Sequence, residues 1–149
     1  MKPNEIRQSN SHEKLFIATG NAFDPKSFDA DGIAAFVKYG FSGTHAEYDI
    51  VYKENPQEDV KVYEYYYGSS RPLPRGIEIQ NIVNKALDAL TGMSCKSIIM
   101  PPIRTVDKSN EENEQLIVSA CVNWLQNNSN KIDKLIIADR VGQMIKRDY

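Results

Sequence analysis

The sequence predicts an α/β domain, a three-layer α/β/α sandwich built on a mixed sheet. Two observations carry this. Short apolar runs at Leu15–Ala18, Ser97–Pro101 and Leu135–Ala138 read as strands buried on both faces. Around and between the last two lie segments with apolar residues at helical spacing. The alternation strand, helix, strand, helix, strand requires right-handed crossovers and a mostly parallel sheet.

In chain order, residues 1–13 are polar, lack an apolar core and read as a flexible tail rather than a signal peptide. Residues 14–149 read as one domain, with no repeat, linker or low-complexity segment to divide them. Leu15–Ala18 breaks at Gly20, and Pro25 biases Asp24 away from the α region. Asp29 or Asp31 is a candidate cap for a short helix over Gly32–Tyr39 that ends at Gly40. Tyr48–Tyr52 and Val60–Tyr67 alternate as strands and are rich in β-branched and aromatic residues. With a turn over residues 54–59 they predict an antiparallel hairpin.

The second half is more regular. Ile79, Ile82, Val83, Ala86, Leu87 and Leu90 form one face of a helix that closes near Gly92. A strand follows over Ser97–Ile103. Ser109 and Glu112 have the spacing of a capping box, and Ile117, Ala120, Cys121, Trp124 and Leu125 repeat the helical face. Trp124 is therefore expected in the core. Leu135–Ala138 is the last strand, with a short closing helix over Val141–Arg147.

Composition excludes several function classes. A net charge of −2 on 149 residues argues against a general nucleic-acid binder. No apolar run approaches the roughly 18 residues of a membrane span. Cys95 and Cys121 read as small buried hydrophobes in a reducing compartment, which places the chain in the cytoplasm. His12 and His45 have no partner at metal-ligand spacing, so neither metal nor cofactor is expected. Tyr63, Tyr65, Tyr66 and Tyr67 divide between the two faces of their strand and read as a half-buried sheet surface. No phosphate-loop, dinucleotide or nucleophile-elbow motif is present, and no catalytic residue is assigned.

Two strand ends remain as candidate sites: Thr19–Asp24 and Pro101–Thr105. Parallel strands bring their carboxyl ends to one crevice, where ligands dock. Gly20 would let a ligand approach the backbone, Asn21 offers donors and acceptors to a ribose, and Arg104 suits a phosphate. The alternative is a tight turn at Gly20–Asn21 and a surface Arg104.

These stretches together resemble the macro domain, the ADP-ribose-binding module. Ser97 to Val106 matches, in order and register, the family's strand and loop of the form S-I-A-F-P-A-I-S-T-G. The family's strand ending N-A-A-N is set against Ala18-Thr19-Gly20-Asn21, and its glycine-rich stretch against Asp31 to Phe36. The hairpin strand Val60–Tyr67 falls where the family has its next central strand. The resemblance covers Leu15 to Tyr149. The departures are specific: Ala18 replaces the first Asn, only Gly32 remains of three glycines, and Val106 then Asp107 stand where the phosphate loop has glycine. The family's first edge strand is missing or reduced to the polar tail. The resemblance implies a mixed sheet and binding of ADP-ribose or a related nucleotide, with processing of ADP-ribosyl groups as an extension. Asn21 would hold the distal ribose, Gly32 would allow close approach, and Ile103, Arg104 and Thr105 would border the diphosphate. The alternative is a macro-like scaffold that has lost nucleotide binding and serves as a protein-interaction module.

Overall fold

The computed structural model describes residues 5–35, 48–55, 60–66 and 73–149. Seven strands form one mixed sheet: β1 (Ile6–Gln8), β2 (Leu15–Thr19), β3 (Gly32–Ala35), β4 (Tyr48–Asn55), β5 (Val60–Tyr66), β6 (Ser97–Met100) and β7 (Lys134–Asp139). Their spatial order is β1-β2-β7-β6-β3-β5-β4. The five inner strands are parallel, and the two edge strands, β1 and β4, pair antiparallel. The long helices are α1 (Ile79–Gly92) and α2 (Asn110–Asn128).

Strand alternation divides the core in two. Leu15, Ile17, Ala34, Tyr63, Ile98, Met100, Leu135 and Ile137 face one way and pack with the apolar stripes of both helices. Ala18, Ile33, Val62, Ile99, Ile136 and Ala138 face the other way and meet Ala22, Phe28 and Ala30. Both long helices thus cover the same face. The strand order gives the reason. The crossovers β5-α1-β6 and β6-α2-β7 step across the sheet in the same direction, so right-handedness puts both on one side. The connection from β2 to β3 steps the opposite way and lies on the opposite face. Among the described residues that face is covered by the segment carrying the 3-10 turn Pro25–Phe28.

Four local expectations are corrected. Gly32–Ala35 is a central strand, not the start of a helix, and all four residues are buried between β6 and β5. Asp31 looked like a helix cap, but its carboxylate accepts the backbone N–H groups of Lys96 and Ser97 at 3.0–3.1 Å. Tertiary burial outweighs local preference in so short a segment; the remainder of the expected helix, residues 36–40, lies outside the described residues. Residues 6–8, expected within a tail, supply edge strand β1, with Ile6 opposite Ala18. The closing helix over Val141–Arg147 reduces to one 3-10 turn at Met144–Lys146. Strand β6 stops at Met100 because Pro101 and Pro102 have no N–H to give a neighbour. The turn expected over 54–59 lies largely outside the described residues, although the hairpin pairing on either side of it is as expected.

Helix α2 starts with the expected reciprocal cap. Ser109 Oγ accepts from Glu112 N at 3.2 Å, and Ser109 N donates to Glu112 Oε1 at 3.0 Å. The backbone hydrogen bond from Ser109 holds the Glu112 carboxyl below its ordinary range. That contribution is present at neutral pH and is lost as the pH falls through the lowered value. Ser109→Ala is expected to cost about 1 kcal/mol in equilibrium denaturation. An unchanged midpoint would mean the first turn is held by packing alone.

Candidate functional site

The parallel strands β2, β7 and β6 are neighbours, and their carboxyl ends open into one cleft of about 420 Å³. From β2 come Gly20, Asn21, Ala22 and Phe23. From β6 come Pro101, Pro102, Ile103 and Arg104. From β7 come Ala138, Asp139, Arg140, Val141, Gln143 and Met144, and from the first turns of α2 come Asn110 and Glu114. The size is that of a small-molecule pocket.

Asp139 builds one wall. It is 8% exposed at the end of β7, and its carboxylate accepts three backbone N–H groups: Val141 at 3.1 Å, Gln143 at 2.7 Å and Met144 at 2.9 Å. These bonds fold residues 140–144 into a loop that turns through Gly142 at φ +80°. A side chain at Gly142 would be strained by that φ and would meet Thr19 Cγ2 at 3.3 Å. The opposite wall is a smaller turn. Asn21 Oδ1 accepts from Phe23 N at 2.9 Å, and the Asn21 NH₂ has no acceptor among the described residues. Phe23 stands half-exposed beside it.

Deeper in the cleft lies Glu114, only 6% exposed. Its Oε1 accepts from Arg147 Nε at 3.0 Å and from the Tyr149 hydroxyl at 3.2 Å. The same pairing raises Arg147 above its ordinary value. Burial, then the Glu114 charge, pushes the Tyr149 phenol up to about 12. Strand β1 holds this segment from outside: Arg7 donates to the Ile145 and Arg147 carbonyls at 3.1 and 2.8 Å.

Of the residues singled out in the sequence, Gly20, Asn21, Ile103 and Arg104 meet in this cleft. Thr105 is buried behind it, with its hydroxyl and the Asn113 amide oxygen 2.7 Å apart. Gly32 lies at the other end of the sheet, because it starts β3 while the cleft lies where its parallel neighbours end. A Cβ there would meet Cys95 Sγ at 3.0 Å, so this glycine serves packing. The stretch set against the glycine-rich loop is therefore strand β3. Asp139, Arg140, Glu114 and Asn110 were missed. The first two follow the third buried run, Leu135–Ala138, and the strand-end logic applied to the other two runs would have found them.

The loop after β6 is pinned rather than open. Val106 N donates to Pro74 O at 2.9 Å, and Asp107 Oδ1 accepts from Gly76 N at 2.8 Å. No residue of 101–109 has a positive φ. A larger hollow of about 780 Å³ lies between α1 and α2, but its polar side chains largely satisfy each other. Asn123 donates to Gln80, Gln80 to Asn84, and Trp124 Nε1 to Asp88. Among the described residues no group of His, Cys, Asp and Glu is arranged to hold a metal, and no helix is long and apolar enough to cross a membrane.

This sheet order, with a cleft at the carboxyl ends of its parallel strands, is the fold of the macrodomains. The chain superposes on a Trypanosoma brucei macrodomain with a TM-score of 0.69 at 11% identity, over 93% of this chain and 67% of that one. It matches the same protein in complex with ADP-ribose at 0.65 and 10% identity, over 90% of this chain and 67% of that one. An Oceanobacillus iheyensis macrodomain with MES bound matches at 0.69 and 11% identity, over 96% and 93% of the two chains. The chain thus spans about two-thirds of the trypanosomal protein and nearly all of the bacterial one. No family model matches the sequence, and no curated protein does.

Proposed function

We propose that this chain binds ADP-ribose or a related nucleotide in the cleft at the ends of β2, β6 and β7. The observation that carries the reading is the cleft itself. It has the size of a small-molecule pocket, is walled by Ala22, Pro102, Ile103 and Met144, and is edged by the Asn21 amide and the Arg104 guanidinium. Similarity in fold to a macrodomain crystallised with ADP-ribose supports the same choice of ligand. Asn21 would donate to a ribose hydroxyl, Gly20 would admit the ligand close to the backbone, and Ile103 would pack beneath it.

Processing of ADP-ribosyl groups is the further step of this reading. The two carboxylates that line the cleft are already engaged: Asp139 accepts three backbone N–H groups, and Glu114 is paired with Arg147. Binding without turnover is therefore the form proposed. The second reading, a macro-like scaffold acting through protein contacts, is favoured by one observation. The loop after β6, pinned to residues 74–76 without a positive φ, offers no backbone nest for a phosphate.

Thermal shift with ADP-ribose, followed by titration calorimetry, separates the two readings. Saturation at a hundred times Kd stabilises by about 2.7 kcal/mol, which raises the melting temperature by several degrees. Asn21→Ala should weaken binding by about 1–3 kcal/mol. No shift and no heat from the wild type up to millimolar ligand would leave the scaffold reading.

A further inference from the structure

We propose that the diphosphate of the ligand is held by a side-chain clamp, Arg104 with Arg140, instead of by a backbone loop. This rests on the nucleotide reading above and adds a residue and a mode of recognition to it. The two arginines follow β6 and β7, which are adjacent and parallel, with Met100 opposite Ile137. Both therefore leave the sheet at the same edge, and both line the cleft. Both are exposed, and neither side chain has a hydrogen-bond or ion-pair partner among the described residues.

Two exposed guanidiniums lining one cleft would favour an anion bound between them. Each can present two parallel N–H groups to phosphate oxygens, and a diphosphate has oxygens enough for both. The loop after β6 leaves this task to side chains, because Val106 N already bonds Pro74 and Asp107 is held at Gly76 N. The cleft is also graded in charge. Glu114, buried within it, already has its cation in Arg147, while Arg104 and Arg140 at the mouth have no anion among the described residues and attract phosphate. A nucleotide therefore enters with its neutral end first and leaves its phosphates at the rim.

Calorimetric titration of ADP, AMP and adenosine into the wild type, Arg104→Gln, Arg140→Gln and the double variant tests the clamp. Both side chains are exposed and have no partner among the described residues, so unchanged melting temperatures are expected and confirm that the fold is intact. The wild type should bind ADP about tenfold or more tightly than AMP, each single variant should lose about tenfold for ADP, and the double variant should bind ADP and AMP alike. Raising salt from 0.05 to 0.5 M should weaken ADP on the wild type and leave adenosine unchanged. A double variant that keeps wild-type affinity for ADP, or wild-type ADP binding insensitive to salt, overturns the clamp while the nucleotide reading stands. A wild type that binds neither ADP nor ADP-ribose overturns both.

Discussion

Replacing Trp124 with alanine is expected to cost about 3–5 kcal/mol, the range for emptying an aromatic site in a packed core. The indole is 3% exposed and lies on the stripe of α2 that meets α1 and the sheet. Its Nε1 also donates to Asp88 Oδ1 at 2.9 Å and so ties the two helices together at their outer edge. The truncation empties ring volume and frees the Asp88 carboxylate to solvent, and the first effect dominates because Asp88 is already exposed. Trp124→Phe separates them: it keeps most of the volume, loses the hydrogen bond, and should cost about 1 kcal/mol. Chemical denaturation of both variants is the measurement. A loss under about 1 kcal/mol for the alanine variant would mean the helix pair closes over the gap.

Asp139→Ala is expected to be nearly as damaging, about 3 kcal/mol, for a different reason. Three backbone N–H groups lose a charged acceptor together, and the removed carboxylate is small. Asp139→Asn should recover part of this, since the amide oxygen still accepts while the NH₂ faces N–H groups it cannot satisfy. The loop 140–144 is a wall of the cleft, so ligand affinity should fall in the same order as stability. Affinity unchanged in a folded Asp139→Ala protein would remove that wall from the binding surface.

Sequence patterns were most legible where burial and periodicity agree. The strands at Leu15, Ser97 and Leu135 and both long helices fall where the apolar spacing puts them, because the core selects the same residues that local preference does. A short segment of small residues such as Gly32–Ala35 carries too little pattern to fix its type. Gly32–Ala35 is a strand because a slot between β6 and β5 takes up its backbone and buries all four residues, and nothing local to Asp31–Ala35 encodes that slot. Ile6–Gln8 was hidden for the related reason that an edge strand has no need of apolar alternation. At the site, strand-end reasoning located Gly20, Asn21, Ile103 and Arg104. Glu114 was not accessible to it: its place depends on Arg147 and Tyr149, more than thirty residues away in sequence. Gly32 was misplaced because matching it to a loop carried it to the wrong end of the sheet.

The position of β7 bears on how this protein is made. Without residues 134–139 the sheet is two pieces: β1-β2 on one side, and β6-β3-β5-β4 on the other. The strand that joins them is the last of the seven to leave the ribosome. Until it emerges, β2 exposes a row of unpaired backbone groups at the edge that β7 will occupy, and so does β6. The nascent chain therefore carries the β2 edge through most of its synthesis, and the β6 edge from the completion of Ser97–Met100 until Lys134–Asp139 emerges. Insertion of one strand closes both edges and, in the same step, brings the three walls of the cleft together. Ligand can meet its finished binding surface only after translation has passed that strand.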